Sequence, residues 1–152
     1  MAMHTWFECK IRYEKVMENG MQKKVTEPYL VDALSFTEAE ARIIEEMTPF
    51  ISGEFTVSDI KRANYSELFP SDEESADRWF KCKLIFITLD EKSGAEKKTS
   101  TQVLVQAADL RDAVKKLDEG MKGTMADYQI GMVSETPLMD VYPYSAGPND
   151  KP

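Results

Sequence analysis

Trp6-Phe7-Glu8-Cys9-Lys10-Ile11-Arg12-Tyr13 returns later in the chain as Trp79-Phe80-Lys81-Cys82-Lys83-Leu84-Ile85-Phe86. Four of these eight positions are identical and two more exchange one apolar residue for another. The whole chain holds only two tryptophans and two cysteines, so chance is a poor explanation for finding both in register. The match runs on in the same order: Gly20 with Gly94, Lys23-Lys24 with Lys97-Lys98, Val31 with Val105, Ala33 with Ala107, Ala39 with Ala113, Met47 with Met121. After a one-residue slip, Phe55 aligns with Tyr128, Val57 with Ile130, and Phe69-Pro70 with Tyr142-Pro143. A fixed-period internal match of this length marks a structural unit written twice.

Each copy divides into the same four pieces. Alternation puts Phe7, Cys9, Ile11 and Tyr13 on one face and Trp6, Glu8, Lys10 and Arg12 on the other, which is the period of a half-buried strand. The first strands are expected at about 6–17 and 79–89. Glu18-Asn19-Gly20 and Lys92-Ser93-Gly94 read as hairpin turns, because glycine and asparagine tolerate positive φ. Second strands follow at 22–31 and 97–105, and Pro28, lacking an N–H donor, points to a sheet edge or a bulge. Ser35-Phe36-Thr37-Glu38 has the form of a capping box and Asp109-Leu110-Arg111-Asp112 is its acidic relative. Apolar residues then recur at helical spacing through Phe36, Ala39, Ile43, Ile44 and Met47 and through Leu110, Ala113, Val114, Leu117 and Met121. Third strands are expected at 54–63 and 128–135. The reading is an α+β fold, a tandem β-β-α-β duplication with about six mainly antiparallel strands and both helices packed on the sheet. It forms a single domain of repeat one (5–70), an acidic connector (71–77), repeat two (78–143) and a poorly ordered tail (144–152).

The composition of the 152 residues narrows the function classes. Hydrophobic residues make up 42% and charged residues 30%, the balance of a globular chain. A net charge of −8 repels phosphate backbones and anionic lipid on average. No apolar run approaches the roughly 20 residues of a membrane span, and the start of the chain has no export signal. The expected setting is the cytoplasm, with no membrane partner.

The titratable residues give little to build an enzyme from. His4 is the single histidine, and it lies at an exposed end, so no nucleophile–histidine pair forms around it. There is no phosphate loop and no Cys-x-x-Cys. Cys9 and Cys82 share the buried register and read as small core residues, with a disulfide allowed only if the two first strands run close together. The acidic residues fall on helix surfaces and in the connector, where they serve solubility. No metal, no cofactor and no catalytic residue is expected.

The candidate functional surface is the other face of the first strands, with Trp6, Lys10 and Arg12 in one copy and Trp79, Lys81 and Lys83 in the other. Aromatic rings interleaved with cations can stack bases and meet phosphates, as a single-stranded nucleic-acid platform does. A tryptophan at a strand start is also commonly buried under the preceding connector, and lysines on open strands keep sheets from pairing. The competing reading is a non-enzymatic protein-binding or regulatory module. It would use the same face, or the methionine-bearing ends near Met121, Met125, Met132 and Met139, to dock a partner or a second copy.

Trp6-Phe7-Glu8-Cys9-Lys10, the strand Val25-Thr26-Glu27-Pro28-Tyr29-Leu30-Val31 with Ala33 after it, and Ser35-Phe36-Thr37-Glu38-Ala39-Glu40-Ala41 resemble a bacterial family of domains of unknown function. The resemblance spans the whole chain. It implies a compact cytoplasmic protein of bacterial or phage origin and brings no activity, cofactor or site residues with it.

Overall fold

A computed structural model describes residues 5–143. His4 and the tail at 144–152 lie outside the described residues. In chain order the elements are β1 (Thr5–Val16), β2 (Gln22–Ala33), α1 (Phe36–Met47), β3 (Phe55–Ala63), β4 (Glu67–Phe69), β5 (Arg78–Leu89), β6 (Glu96–Ala107), α2 (Leu110–Gly120), β7 (Asp127–Glu135) and β8 (Asp140–Tyr142). The α+β class stands. The described strands number eight rather than about six, and they form two four-stranded sheets, a choice that the sequence left open, in the orders β3-β1-β2-β8 and β4-β6-β5-β7.

The chain folds as two compact units. One holds the residues up to Asn64 together with those from Pro137 on, and the other is Tyr65–Thr136. These boundaries cut across the sequence repeats because of the two short strands. β8, which closes the second repeat, pairs in parallel with β2 of the first unit, and β4, which closes the first repeat, pairs in parallel with β6 of the second.

In the first unit β1 pairs antiparallel with β2 through a hairpin whose Gly20 has φ +83°, a conformation that disfavours any side chain. Ser35 Oγ accepts from Glu38 N at 3.1 Å while Leu34 N, one residue before the cap, donates to Glu38 Oε1 at 2.7 Å, a variant of the capping box expected from the sequence. α1 buries Ala39, Ile43 and Met47 against Phe7, Cys9, Ile11, Val31 and Ala33. The second unit repeats each device. Gly94 turns its hairpin at φ +72°, Asp109 caps Asp112 N at 2.8 Å, and Ala108 N donates to Asp112 Oδ2 at 2.9 Å. α2 packs Leu117 on Cys82, Leu84, Val103 and Val105. Cys9 and Cys82 are free, buried thiols, as expected.

One edge of each sheet is interrupted. β3 bulges at Ser58 and β7 at Gly131, between the same two positions of β1 and β5. Bulges break the regular row of donors and acceptors that an edge would offer to a passing strand. Pro28 fits this account: it stands where β8's cover of β2 ends, its carbonyl taking Met139 N while its missing N–H would point outward.

Candidate functional site

β1 places Trp6, Lys10 and Arg12 on the sheet face turned away from α1. Across that face Lys10 stands opposite Pro28 and Asp59, and Arg12 opposite Thr26 and Thr56. β5 places Trp79, Lys81 and Lys83 likewise, opposite Gln106, Leu104 and Gln102. The alternation read from the sequence is therefore correct, but exposure is not shared. Trp79 is only 5% exposed. Its carbonyl is held by Thr136 N and Oγ1, at 2.8 and 2.9 Å, and Ala76 in the connector before it is also buried. Of the paired tryptophans, one is thus withdrawn from any stacking surface. Met121 is withdrawn too, since it packs in the second unit's core; Met125, Met132 and Met139 are exposed.

Arg12 is where the open face gains shape. It lines a groove of about 640 Å³ with Glu14 and Val16 of β1, Gln22 and Lys24 of β2, and Ser52-Gly53-Glu54 ahead of β3. Val16, Met17 and Met21 at the hairpin end and Phe50 in the loop after α1 are all exposed, with Phe50 at 78%. The groove therefore has two cations and two carboxylates on its walls and apolar residues at one end. Such a lining suits a peptide better than a phosphate chain, which would meet the carboxylates of Glu14 and Glu54.

Behind the groove, on the helix side, lies a polar cluster that sequence reasoning missed. Glu27 Oε1 accepts from Tyr13 Oη at 2.9 Å and from Tyr29 Oη at 3.4 Å, and Lys15 Nζ stands 3.9 Å from Oε2. Tyr29 stacks on Tyr142 with ring centroids 6.2 Å apart. Burial and then the Glu27 carboxylate raise the pKa of Tyr13 and Tyr29; burial, with Asp140 and Glu46 nearby, pushes Tyr142 up to about 12. The Tyr13 and Tyr29 phenols are neutral donors that fix Glu27, and none of the three is an acid at neutral pH. The sequence signal was Glu27 itself, a carboxylate in the inward register of β2. Burial likewise pushes the Cys9 thiol up to about 12 and the Cys82 thiol to about 11, so neither supplies a thiolate nucleophile.

A second polar cluster sits on α2. Lys116 Nζ donates to Ser71 Oγ at 3.1 Å and lies 3.0 Å from Asp112 and 3.4 Å from Glu73. Burial opposes the lysine's charge, but the bond to Asp112 and the fields of Asp112 and Glu73 outweigh it and raise its pKa. The cluster ties the segment after β4 to α2. Arg42 plays that part on α1, donating to the carbonyls of Asp32 and, at 2.9 Å, Pro143, just past β8. Among the described residues no group of three or more His, Cys, Asp and Glu could hold a metal ion, and no helix is long and apolar enough to cross a membrane.

Two antiparallel hairpin sheets, each with one helix on one face and a short parallel strand at the edge, define an α+β protein whose first unit carries an open groove. The chain belongs to a family of domains of unknown function, DUF4494, whose model matches residues 5–144. Among curated proteins no match is found.

Proposed function

We propose that the protein is a non-enzymatic binding module that engages a protein partner through the groove at the hairpin end of its first sheet. The observation that carries this reading is the groove around Arg12, with exposed Val16, Met17 and Met21 at its hairpin end. Exposed apolar residues beside a groove with balanced charge have the make-up of a protein contact. The buried, raised thiols support a non-enzymatic role and accord with a cytoplasmic setting. The shared order of elements and the matched residues support descent from a tandem duplication, with the first unit's open face the one adapted to binding. A single-stranded nucleic-acid role ranks second, because it asks both tryptophans to stack and Trp79 is covered.

The test is photo-crosslinking in cells with a photoreactive amino acid at Val16 or at Leu89, the corresponding and equally exposed position of the second unit. Discrete protein adducts at Val16 and none at Leu89 are expected. Adducts at neither, together with salt-sensitive oligonucleotide binding by the purified chain, would overturn the reading in favour of nucleic acid.

A further inference from the structure

β2 is a twelve-residue strand, yet β8 pairs only with Tyr29–Val31. Met139 N adds one bond to Pro28 O at 2.9 Å, which fixes the direction of the backbone: in a regular antiparallel hairpin, alternate residues turn their N–H and C=O outward. Counting back by twos from Pro28, the outward residues are Thr26, Lys24 and Gln22. All three are exposed, and among the described residues nothing pairs with the outward groups of Lys24 and Thr26. β8 runs parallel to β2 and its pairing ends at Tyr142 beside Val31, toward the end of β2 remote from this stretch.

The charges along this half-edge select its occupant. Lys23 and Lys24 lie on it, on opposite sheet faces, and Lys23 stands directly opposite Lys15 of β1. Like charges placed opposite each other across a sheet are unfavourable; Glu27, 3.9 Å from Lys15, relieves this only partly. Lys24 faces Glu14 and shares the groove with Arg12 and Glu54. A second copy of the chain pairing antiparallel at this edge, in a register centred on Lys23 or Lys24, would bring lysine against lysine. We infer that the open half of β2, Gln22 to Thr26, accepts an extended peptide as an added strand, acidic at the alternate side chains that meet Lys23 and Lys15 on the helix face and uncharged at those over the groove face, where Glu14 and Glu54 balance Lys24 and Arg12. This is strand addition of the kind that gives affinity through main-chain bonds and specificity through alternate side chains. It rests on the protein-binding reading and names the partner's chemistry. The corresponding edge of β6 also carries Lys97 and Lys98, but Glu96 replaces Gln22, Thr88 replaces Lys15 and Ile85 replaces Arg12, so it serves as an internal control.

The experiment uses the full chain and a fluorescein-labelled nine-residue peptide of alternating glutamate and valine. Beside it stand the lysine-for-glutamate peptide and a version N-methylated at alternate amides. The glutamate peptide is expected to bind. N-methylation, or Lys23→Glu with Lys24→Glu, is expected to weaken it by about tenfold or more, the effect of losing about 1.4 kcal/mol. Lys97→Glu with Lys98→Glu is expected to leave it unchanged. Hydrogen exchange at the Lys24 and Thr26 amides should slow in the complex, a readout that a merely electrostatic attraction would not give. Equal binding of the lysine peptide, indifference to N-methylation, or no binding at low salt would overturn the inference. So would self-association of Lys23→Ala/Lys24→Ala without peptide binding, which would make the lysines guards against edge pairing. If crosslinks at Val16 persist while the peptide fails, only this inference falls; if both fail, the protein-binding reading falls with it.

Discussion

The floor of the first unit is made of Tyr13, Glu27, Tyr29 and Tyr142 where the second unit has Phe86, Thr101, Val103 and Phe69 at corresponding ladder positions. One backbone plan thus carries a hydrogen-bonded floor in one place and an apolar floor in the other. The short strand's aromatic residue adapts accordingly. Phe69 lies so close to Gly120 that a Cβ there would come within 2.7 Å of the ring, whereas Tyr142 sits beside Glu46, the counterpart of Gly120. A similar exchange occurs at the bulge: Ser58 donates to the Lys10 carbonyl at 3.3 Å, while Gly131 leaves room for Ile85. The second unit is tuned for packing and the first keeps polar groups fixed beneath an open groove, so binding is best sought on the first.

The largest expected effect tests what the two units share. Ile43→Ala and Leu117→Ala remove fully buried residues at corresponding helix positions and should each cost roughly 2–5 kcal/mol by urea denaturation. A large inequality between them would mean that the two cores close up differently around a cavity. Next, Gly120→Ala should destabilise by about 1–3 kcal/mol through the displaced Phe69 ring, while Glu46→Ala should fall within about 0.5 kcal/mol of the parent. Glu27→Ala strips the acceptor from two tyrosines. It should cost roughly 1–2 kcal/mol, against little for Thr101→Ala, with both read by thermal melts. An equal pair of results would dissolve the contrast between the floors.

The smallest effect is invisible at neutral pH. Folding raises the phenol pKa values of Tyr13, Tyr29 and Tyr142. Above about pH 10 the unfolded chain therefore loses protons that the folded chain keeps. The stability these phenols contribute is present below pH 10 and is lost as pH climbs toward about 12, the value for Tyr142. Alkaline unfolding should be milder in Tyr29→Phe/Tyr142→Phe, followed by tyrosinate absorbance alongside circular dichroism. The buried thiols of both units add to the same loss, so the parent chain's slope alone would not separate the floors, whereas the double variant does.

Much of the fold was legible where local chemistry decides it. Asn19-Gly20 and Ser93-Gly94 turn hairpins, Ser35 and Asp109 cap helices, and Phe7-x-Cys9-x-Ile11 sorts the faces of a strand, all without reference to distant residues. β4 and β8 were not legible, because three residues carry no periodicity and each strand finds its place only on the far side of the repeat boundary. The bulges at Ser58 and Gly131 were hidden for a similar reason, since an extra residue shows only once the partner strand's register is known. At the candidate site, alternation placed Trp79 on the correct face but could not say that this face is covered there. Glu27's two tyrosines come from β1 and β2 together, so that site needed the register.

The order of manufacture follows from β8. A chain made from its N-terminus supplies β1, β2, α1 and β3 first, then leaves the first unit at Asn64 and returns to it only at Pro137. The second unit is contiguous and has all four of its strands as soon as β7 emerges. At roughly 5–20 residues per second on the ribosome, the first unit waits several seconds for its last strand. Throughout that wait the outer edge of β2 is bare from Gln22 to Ala33, including Leu30 and Val31, which end fully buried. β8 is thus the latch of the unit made first, and a protease cut that releases the residues from Pro137 on would reopen it.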